Sequence, residues 1–218
     1  MPIERSLHPG WLSNAYLVWD EAGGDAVFVD SGAPLEPLIE AVERERLTPT
    51  TLLVTHGHPD HIAGNDELVS RYGVEVLTAG GAGFEALPTP GHSDDHVSLF
   101  GRGLCFSGDI LCRDTVGGGS DVEPIRRSVM EVLMKLPLET RVLPGHTDET
   151  TIGREWEENP FVRYWRGDAA PLDEPVRFRD EDVTLLVWSP DYDGKGKALV
   201  RLADGDEAIV GASRIEGL

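Results

Sequence analysis

T-H-G-H-P-D-H, running from Thr55 to His61, directly follows the apolar and β-branched run that starts at Thr51. A short run of that kind reads as a buried strand. His56 and His58 are two residues apart, so on an extended chain they project from the same side. Asp60 and His61 fall in the turn that opens the next helix. Four ligand-type side chains therefore converge at the carboxyl end of a strand, where open α/β sheets place their sites. Three of the seven histidines in the chain lie within these six positions, from His56 to His61. Unrelated surface or core polar residues do not account for such clustering.

More ligands are expected downstream, because one carboxylate and three imidazoles cannot satisfy two ions that each need about four to six donors. His92 in T-P-G-H, Asp109 in S-G-D and His146 in L-P-G-H each follow a predicted strand, and each is preceded by glycine. Glycine lets the backbone turn sharply and present the next side chain at the rim. Taken alone, any of these residues reads as an ordinary turn residue. Their repetition at three successive strand ends favours ligation.

The surrounding chain alternates strands and helices. Ala15 to Trp19 and Ala26 to Asp30 read as a hairpin across D-E-A-G-G-D. Leu35, Leu38, Ile39 and Val42 recur at helical spacing in the stretch from Leu35 to Arg46, with Pro34 and Pro37 tolerated only in its first turn. Ile62 to Tyr72 and Pro124 to Leu136 read as helices. Val74 to Leu77, Gly83 to Leu87 and Arg141 to Leu143 read as strands, and Leu99 to Ser107 as a hairpin. This alternation predicts a layered α/β or α+β fold. D-A-A-P-L-D-E-P, from Asp168 to Pro175, reads as a linker. Val183 to Trp188, Ala198 to Leu202 and Glu207 to Val210 then predict a small antiparallel β unit over residues 171–218, appended to a catalytic domain over residues 1–170.

Composition narrows the function classes. The 218 residues suit one mid-sized domain that needs no metal to fold, so a dense ligand cluster points to chemistry rather than to a structural staple. A formal charge of −20, from 39 acidic against 19 basic residues, opposes binding to nucleic acid or anionic lipid. No apolar run approaches the roughly 20 residues of a membrane span. With two cysteines, Cys105 and Cys112, and no apolar signal core in the first twenty residues, a reducing, cytoplasmic setting is the expectation. The two cysteines read as small buried thiols rather than a redox pair.

THGHPDHIAGN, TPGHS, FSGD and LPGH, in that order and spacing, resemble the ordered motifs of the metallo-β-lactamase superfamily, over about residues 10 to 165. N-A-Y-L-V near the start and T-T-I-G-R-E-W-E-E-N-P-F after His146 are most similar to its glyoxalase II-like branch, the hydroxyacylglutathione hydrolases. The resemblance implies a four-layer αββα sandwich. It implies one divalent ion held by His56, His58 and His92, a second by Asp60, His61 and His146, and Asp109 as the bridge. Zinc is the first expectation for these ions, with iron or manganese as alternatives. Asp60 and Asp109 are the candidate catalytic carboxylates. A hydroxide bridging the ions would attack a thioester carbonyl, and a thiolate leaves with little help because thiols ionise near pH 8.5. The implied partner is therefore a small acyl-thiol substrate, with a homodimer left open.

The chain also departs from that pattern. A short A-G-G-A-G loop between Leu77 and Leu87 predicts an open cleft, and L-C-R-D-T-V-G-G-G-S-D lacks the arginine that relatives carry after the glycine. No C-terminal helical pair is visible, which argues against glutathione as the thiol. A mononuclear-iron persulfide dioxygenase using His56, His92 and Asp109 is the alternative from another class. A ribonuclease, suggested by G-H-S-D-D-H, ranks below it. His96 reads as a residue lining the cleft or orienting a ligand, His8 as a surface residue, and Asp30 as a support from behind the site. Trp156, Phe161, Tyr164 and Trp165 read by default as helix packing.

Overall fold

The computed structural model describes residues 1–217. Its first sheet runs β1 (Ile3–Leu7), β2 (Asn14–Trp19), β3 (Asp25–Val29), β4 (Thr48–Leu53) and β5 (Glu75–Leu77), in that spatial order. The first three strands pair antiparallel; β3, β4 and β5 pair parallel. Period-two alternation divides the side chains between two faces. Ala15, Leu17, Trp19, Ala26, Phe28 and Leu52 face a cluster with Leu38, Ile39 and Val42 of helix α1 (Glu36–Glu45) and Leu68 of α3 (Asn65–Tyr72). Tyr16, Val18, Val27, Val29 and Leu53 face the second sheet, against Phe84, Leu99, Leu104, Phe106 and Leu143.

That second sheet contains β6 (Gly80–Gly81), β7 (Phe84–Pro88), β8 (Val97–Gly101), β9 (Leu104–Gly108), β12 (Arg141–Pro144) and β13 (Thr150–Thr151), ordered β13-β12-β9-β8-β7-β6. Between β9 and β12 the chain makes a small hairpin, β10 (Leu111–Cys112) and β11 (Thr115–Val116), and then α4 (Val122–Arg127). The outer face of the sheet, through Cys105 and Val142, packs on α4, α5 (Ile152–Glu158) and α6 (Pro160–Trp165). The layers are thus helix, sheet, sheet, helix, the four-layer arrangement that the motifs imply. Phe161 is fully buried in this cluster, with Trp156, Tyr164 and Trp165 packed on it. Cys105 and Cys112 are free buried thiols.

Two predicted helices are interrupted. The expected Ile62–Tyr72 helix divides into α2 (Pro59–Ile62) and α3, because Gly64 turns in to donate from its N–H to the carbonyl and hydroxyl of Ser31, each at 3.1 Å. The Pro124–Leu136 helix starts earlier, capped by Asp121, and its winding changes after Arg127 to a wide turn at Ser128–Val132 and a tight one at Leu133–Lys135. The strand β1, for which no pattern is evident in the sequence, covers the edge of the first sheet.

The C-terminal residues form an antiparallel sheet of β14 (Glu174–Phe178), β15 (Glu181–Ser189), β16 (Lys197–Arg201), β17 (Glu207–Gly211) and β18 (Ile215–Glu216). Glu174 and Pro175, the end of the expected linker, already pair in β14, where the missing N–H of proline costs nothing because β18 reaches only Arg177 and Phe178. One face of this sheet contributes Leu186, Val187, Leu199 and Ile209 to the cluster that holds α4 and α6. The other face folds over its own cluster of Phe178, Val183, Leu185, Val200 and Val210. No helix among the described residues is long and apolar enough to cross a membrane.

Candidate metal centre

Five of the seven candidate ligands lie just past the carboxyl end of a strand. His56 and His58 follow β4, His92 follows β7, Asp109 follows β9 and His146 follows β12. β7 and β9 both run antiparallel to β8, and β12 runs parallel to β9, so these ends share one rim of the second sheet. The first sheet is joined to that rim by backbone bonds from Val97 N–H to the Thr55 carbonyl and from Asn14 N–H to the Gly145 carbonyl. Asp60 and His61 are delivered by α2, one turn whose N1 residue is Pro59.

At the rim, two triads of ligand atoms face each other. His58 Nδ1 lies 3.0 Å from both His56 Nε2 and His92 Nε2. In the other triad, His146 Nε2 is 3.4 Å and His61 Nε2 3.8 Å from Asp60 Oδ2. The carboxylate of Asp109 stands between them, 3.4 Å from His92 Nε2, 3.2 Å from His61 Nε2 and 3.3 Å from His146 Nε2. Ligands about 2.0–2.1 Å from a tetrahedral ion are roughly 3.3 Å apart, so these spacings are those of a coordination shell. The protein itself leaves the shell unsatisfied: among the described residues, His61 Nε2 and Asp109 Oδ1 are buried without a hydrogen-bond partner. Buried polar atoms are rarely orphaned, and here both point into the same space. The residues present fit a pair of divalent cations.

The outer nitrogens of the rings are held from behind. Asp30, with φ 54° at the end of β3, accepts from Thr55 N–H, Thr55 Oγ1 and His61 Nδ1, all at 2.8 Å. Since a carboxylate only accepts, Asp30 keeps a proton on His61 Nδ1, so that in the neutral ring the lone pair lies on Nε2. Thr55 Oγ1, having donated to Asp30, accepts from His56 Nδ1 at 3.1 Å, which fixes the same tautomer there. His146 Nδ1 donates to the Leu12 carbonyl at 2.9 Å. His96 is not among the converging ligands. It is buried, its Nε2 accepts from the backbone N–H of Asp109 at 3.1 Å, and its Nδ1 donates to Thr89 Oγ1 at 3.0 Å, so it orients the Asp109 turn. His8, remote from the cluster, accepts the N–H groups of Gly10 and Trp11.

Electrostatics divide the histidines into two sets. Burial lowers the pKa of His56 and of His96 to about 3, and also lowers that of His92. Burial opposes the charged form of His61 too, but the Asp30 and Asp109 carboxylates outweigh it and raise the pKa to about 11. At His146 burial is overcome by Asp109 and Asp60, and the pKa rises to about 9. Asp109, despite complete burial, is held well below the usual carboxylate range by His146 and His61. Three carboxylates thus create a negative potential strong enough to retain protons on buried imidazoles, and a cation would meet the same potential.

The sequence did not reveal the residues that complete the surroundings. Tyr192, in the loop between β15 and β16, stacks on His146 with ring centroids 4.1 Å apart and planes 11° from parallel. Lys197 lies at the end of the same loop, paired to Asp191 at 3.3 Å. Thr55 and Leu12 act through atoms that carry no pattern of their own, one of them a backbone carbonyl.

Comparisons agree with this geometry. Residues 8–85 match the Metallo-beta-lactamase superfamily. A hydroxyacylglutathione hydrolase of Chromohalobacter salexigens is 32% identical over 211 residues, covering 68% of this chain and 81% of its own. The hydroxyacylglutathione hydrolase GloC of Haemophilus influenzae is 27% identical, covering 74% and 98%. Among solved structures, ETHE1 from Myxococcus xanthus superposes with a TM-score of 0.62 at 26% identity, covering 79% of this chain and 93% of its own. TTHA1623 in a di-iron-bound form gives 0.62 at 32% identity, covering 72% and 98%. With the helix-sheet-sheet-helix layers and relatives at 32% identity over most of their own length, this chain belongs to the metallo-beta-lactamase superfamily.

Proposed function

We propose that the protein is a metal-dependent hydrolase of acyl thioesters. In that reading His56, His58 and His92 would hold one divalent ion, Asp60, His61 and His146 would hold the other, and Asp109, placed between the two triads, would serve both. The observation that carries this reading is the position of the Asp109 carboxylate, within 3.4 Å of imidazole nitrogens from both triads. When bound, two cations lower the pKa of water toward neutrality and polarise a carbonyl oxygen.

The protein's own residues do the rest. Asp30, Thr55 and the Leu12 carbonyl keep the protons of His61, His56 and His146 on the nitrogens facing away from the reacting space. Second partners of this kind set tautomer and ring orientation before any substrate arrives. His96 fixes the Asp109 turn through its backbone N–H, so both carboxylate oxygens stay turned toward the triads. Asp60, only partly buried, is the ligand carboxylate most open to solvent and the one available to accept a proton from an attacking water. A thiol leaving group suits the site, because it departs as thiolate near neutral pH with little proton donation. The likeness to proteins named hydroxyacylglutathione hydrolase supports thioester chemistry.

Zinc-loaded protein is expected to hydrolyse S-lactoyl and simpler acyl thioesters. Turnover no greater than that of His58→Ala would refute the reading. The ETHE1 likeness supports a second one, a mononuclear-iron persulfide dioxygenase using His56, His92 and Asp109. A single iron per chain with oxygen uptake on a persulfide, and no thioester turnover, would put that reading first.

A further inference from the structure

Beside the His146 side of the centre is a pocket of about 390 Å³ whose walls include Arg5, Leu7, Leu12, Arg113, Thr147 and Tyr192. Three of these residues bear directly on His146. Leu12 accepts its Nδ1–H, Thr147 is its chain neighbour, and Tyr192 covers its ring. The pocket therefore adjoins His146 through Leu12, Thr147 and Tyr192.

The C-terminal sheet builds one wall of this pocket. The Tyr192 loop is fastened at both ends. Ser189 donates to Thr115 Oγ1 at 2.8 Å, and the Asp191–Lys197 pair closes the loop with side chains only 6% and 12% exposed. The two halves of that ion pair flank Tyr192 in the sequence and close the backbone of the loop that carries it.

The charges of the pocket are mostly committed. Arg5 is bound to Asp148 at 3.0 Å and to the Thr147 carbonyl at 3.1 Å. Asp114 is bound to Arg154 at 2.7 Å, and Asp191 to Lys197. Arg113 differs. Its guanidinium makes no hydrogen bond among the described residues, its closest acid is Asp114 at 3.8 Å, and its backbone N–H is anchored to Thr147 Oγ1 at 3.2 Å. A guanidinium in this pocket with one loose acidic partner at 3.8 Å and its hydrogen-bond donors unspent, in a chain with a formal charge of −20, is placed to receive an anion that the rest of the surface repels.

We propose that this pocket binds the thiol part of the substrate and selects thiols with an anionic oxygen group, held by Arg113 while the connecting chain lies against Tyr192. The assignment rests on the thioester hydrolase reading and adds the class of thiol to it. The C-terminal sheet is then a part of the specificity machinery, through a residue that the catalytic layers do not contain.

Three acetyl thioesters separate the possibilities: those of 3-mercaptopropionate, of 4′-phosphopantetheine and of N-acetylcysteamine, the last of which is neutral. The zinc-loaded protein is expected to prefer at least one anionic ester by about tenfold in kcat/KM, the effect of one charge-assisted hydrogen bond. The preferred ester tells whether the anion is carboxylate or phosphate. Arg113→Gln is expected to bring the anionic-to-neutral ratio close to one, while Arg127→Gln, on the exposed face of α4, leaves it unchanged. The uncleavable thioether 3-(methylthio)propionate gives an independent binding readout by calorimetry, with Arg113-dependent heat expected if the anion is a carboxylate. Cleavage of all three esters with no preference, or a preference that survives Arg113→Gln, would overturn the subsite assignment alone. If none of the three is cleaved, the thioester reading falls, and the subsite with it.

Discussion

Asp30→Asn is the substitution that tests most directly how the second triad is made. The side chain keeps its shape, and asparagine tolerates the left-handed backbone at φ 54°, so neither cavity nor backbone strain enters. What changes is the hydrogen-bond logic. Asp30 accepts three bonds of 2.8 Å, two on the oxygen shared by Thr55 Oγ1 and His61 Nδ1. An asparagine oxygen placed toward Thr55 N–H turns its NH2 toward His61 Nδ1. That nitrogen must then accept, and the ring proton moves to Nε2, the atom aimed at Asp60 and Asp109. Flipping the amide instead sets NH2 against the N–H of Thr55. In either case a buried charge-assisted bond of about 1.5–3 kcal/mol is lost. The affinity of the Asp60, His61 and His146 triad is expected to fall about 10- to 100-fold, as is usual when the outer partner of a ligand histidine is removed. The His56, His58 and His92 triad, reached only through Thr55, should change much less. Competition with a chromophoric chelator resolves the two affinities, and urea unfolding checks the fold. Two ions retained with wild-type affinities would show that the Asp30 contact has no role in presenting His61.

Other consequences follow from the packing. In Gly32→Ala the new methyl would lie inside the van der Waals radius of the Asp60 carbonyl oxygen, a backbone contact that no rotamer relieves, and about 3 kcal/mol of stability should be lost in urea denaturation, together with metal retention. Chelator treatment should leave cooperative thermal unfolding and the far-ultraviolet dichroism intact, because the hydrophobic clusters on both faces of both sheets do not involve the ligands; collapse to an unfolded chain would contradict this. Burial raises the Cys105 thiol from its ordinary value near 9 to about 12, so the unfolded chain loses this proton first, and stability should decline as pH rises above about 9. The alkaline decline should be shallower in Cys105→Ala, measured as the difference in urea midpoint between pH 8 and pH 10.

The convergence of the candidate ligands was legible in the sequence because each of them is announced locally. Strand, glycine, then histidine or aspartate is a pattern of a few residues, and THGHPDH compresses four ligands into one turn. The layers were legible for a similar reason, since β2 and β3 alternate between two buried faces and α1 keeps one apolar stripe. What escaped was whatever depends on distant partners. The strand β1 has an exposed and half-buried pattern without clear alternation, and it exists because β2 offers it an edge. Gly64 breaks a periodic helix for the sake of Ser31, thirty-three positions earlier.

The same distinction explains why the ligands are readable and their control is not. A coordinating imidazole needs only its own residue type at a strand end. Its tautomer and the ring face left open to substrate are decided by Thr55 at the start of the motif and by Asp30, the Leu12 carbonyl and Tyr192 from three other segments. Asp30 could be suspected because it ends a strand beside the site. Tyr192 could not, because nothing in D-Y-D-G-K-G-K indicates that its turn closes over His146, forty-six positions earlier. Local spacing therefore specifies which candidate ligand atoms converge, whereas tertiary packing specifies the protonation of those atoms and the shape of the space in front of them. Chains with the same ligand motifs can for that reason act on different substrates, and the difference should be sought in segments such as the Tyr192 loop rather than in the motifs.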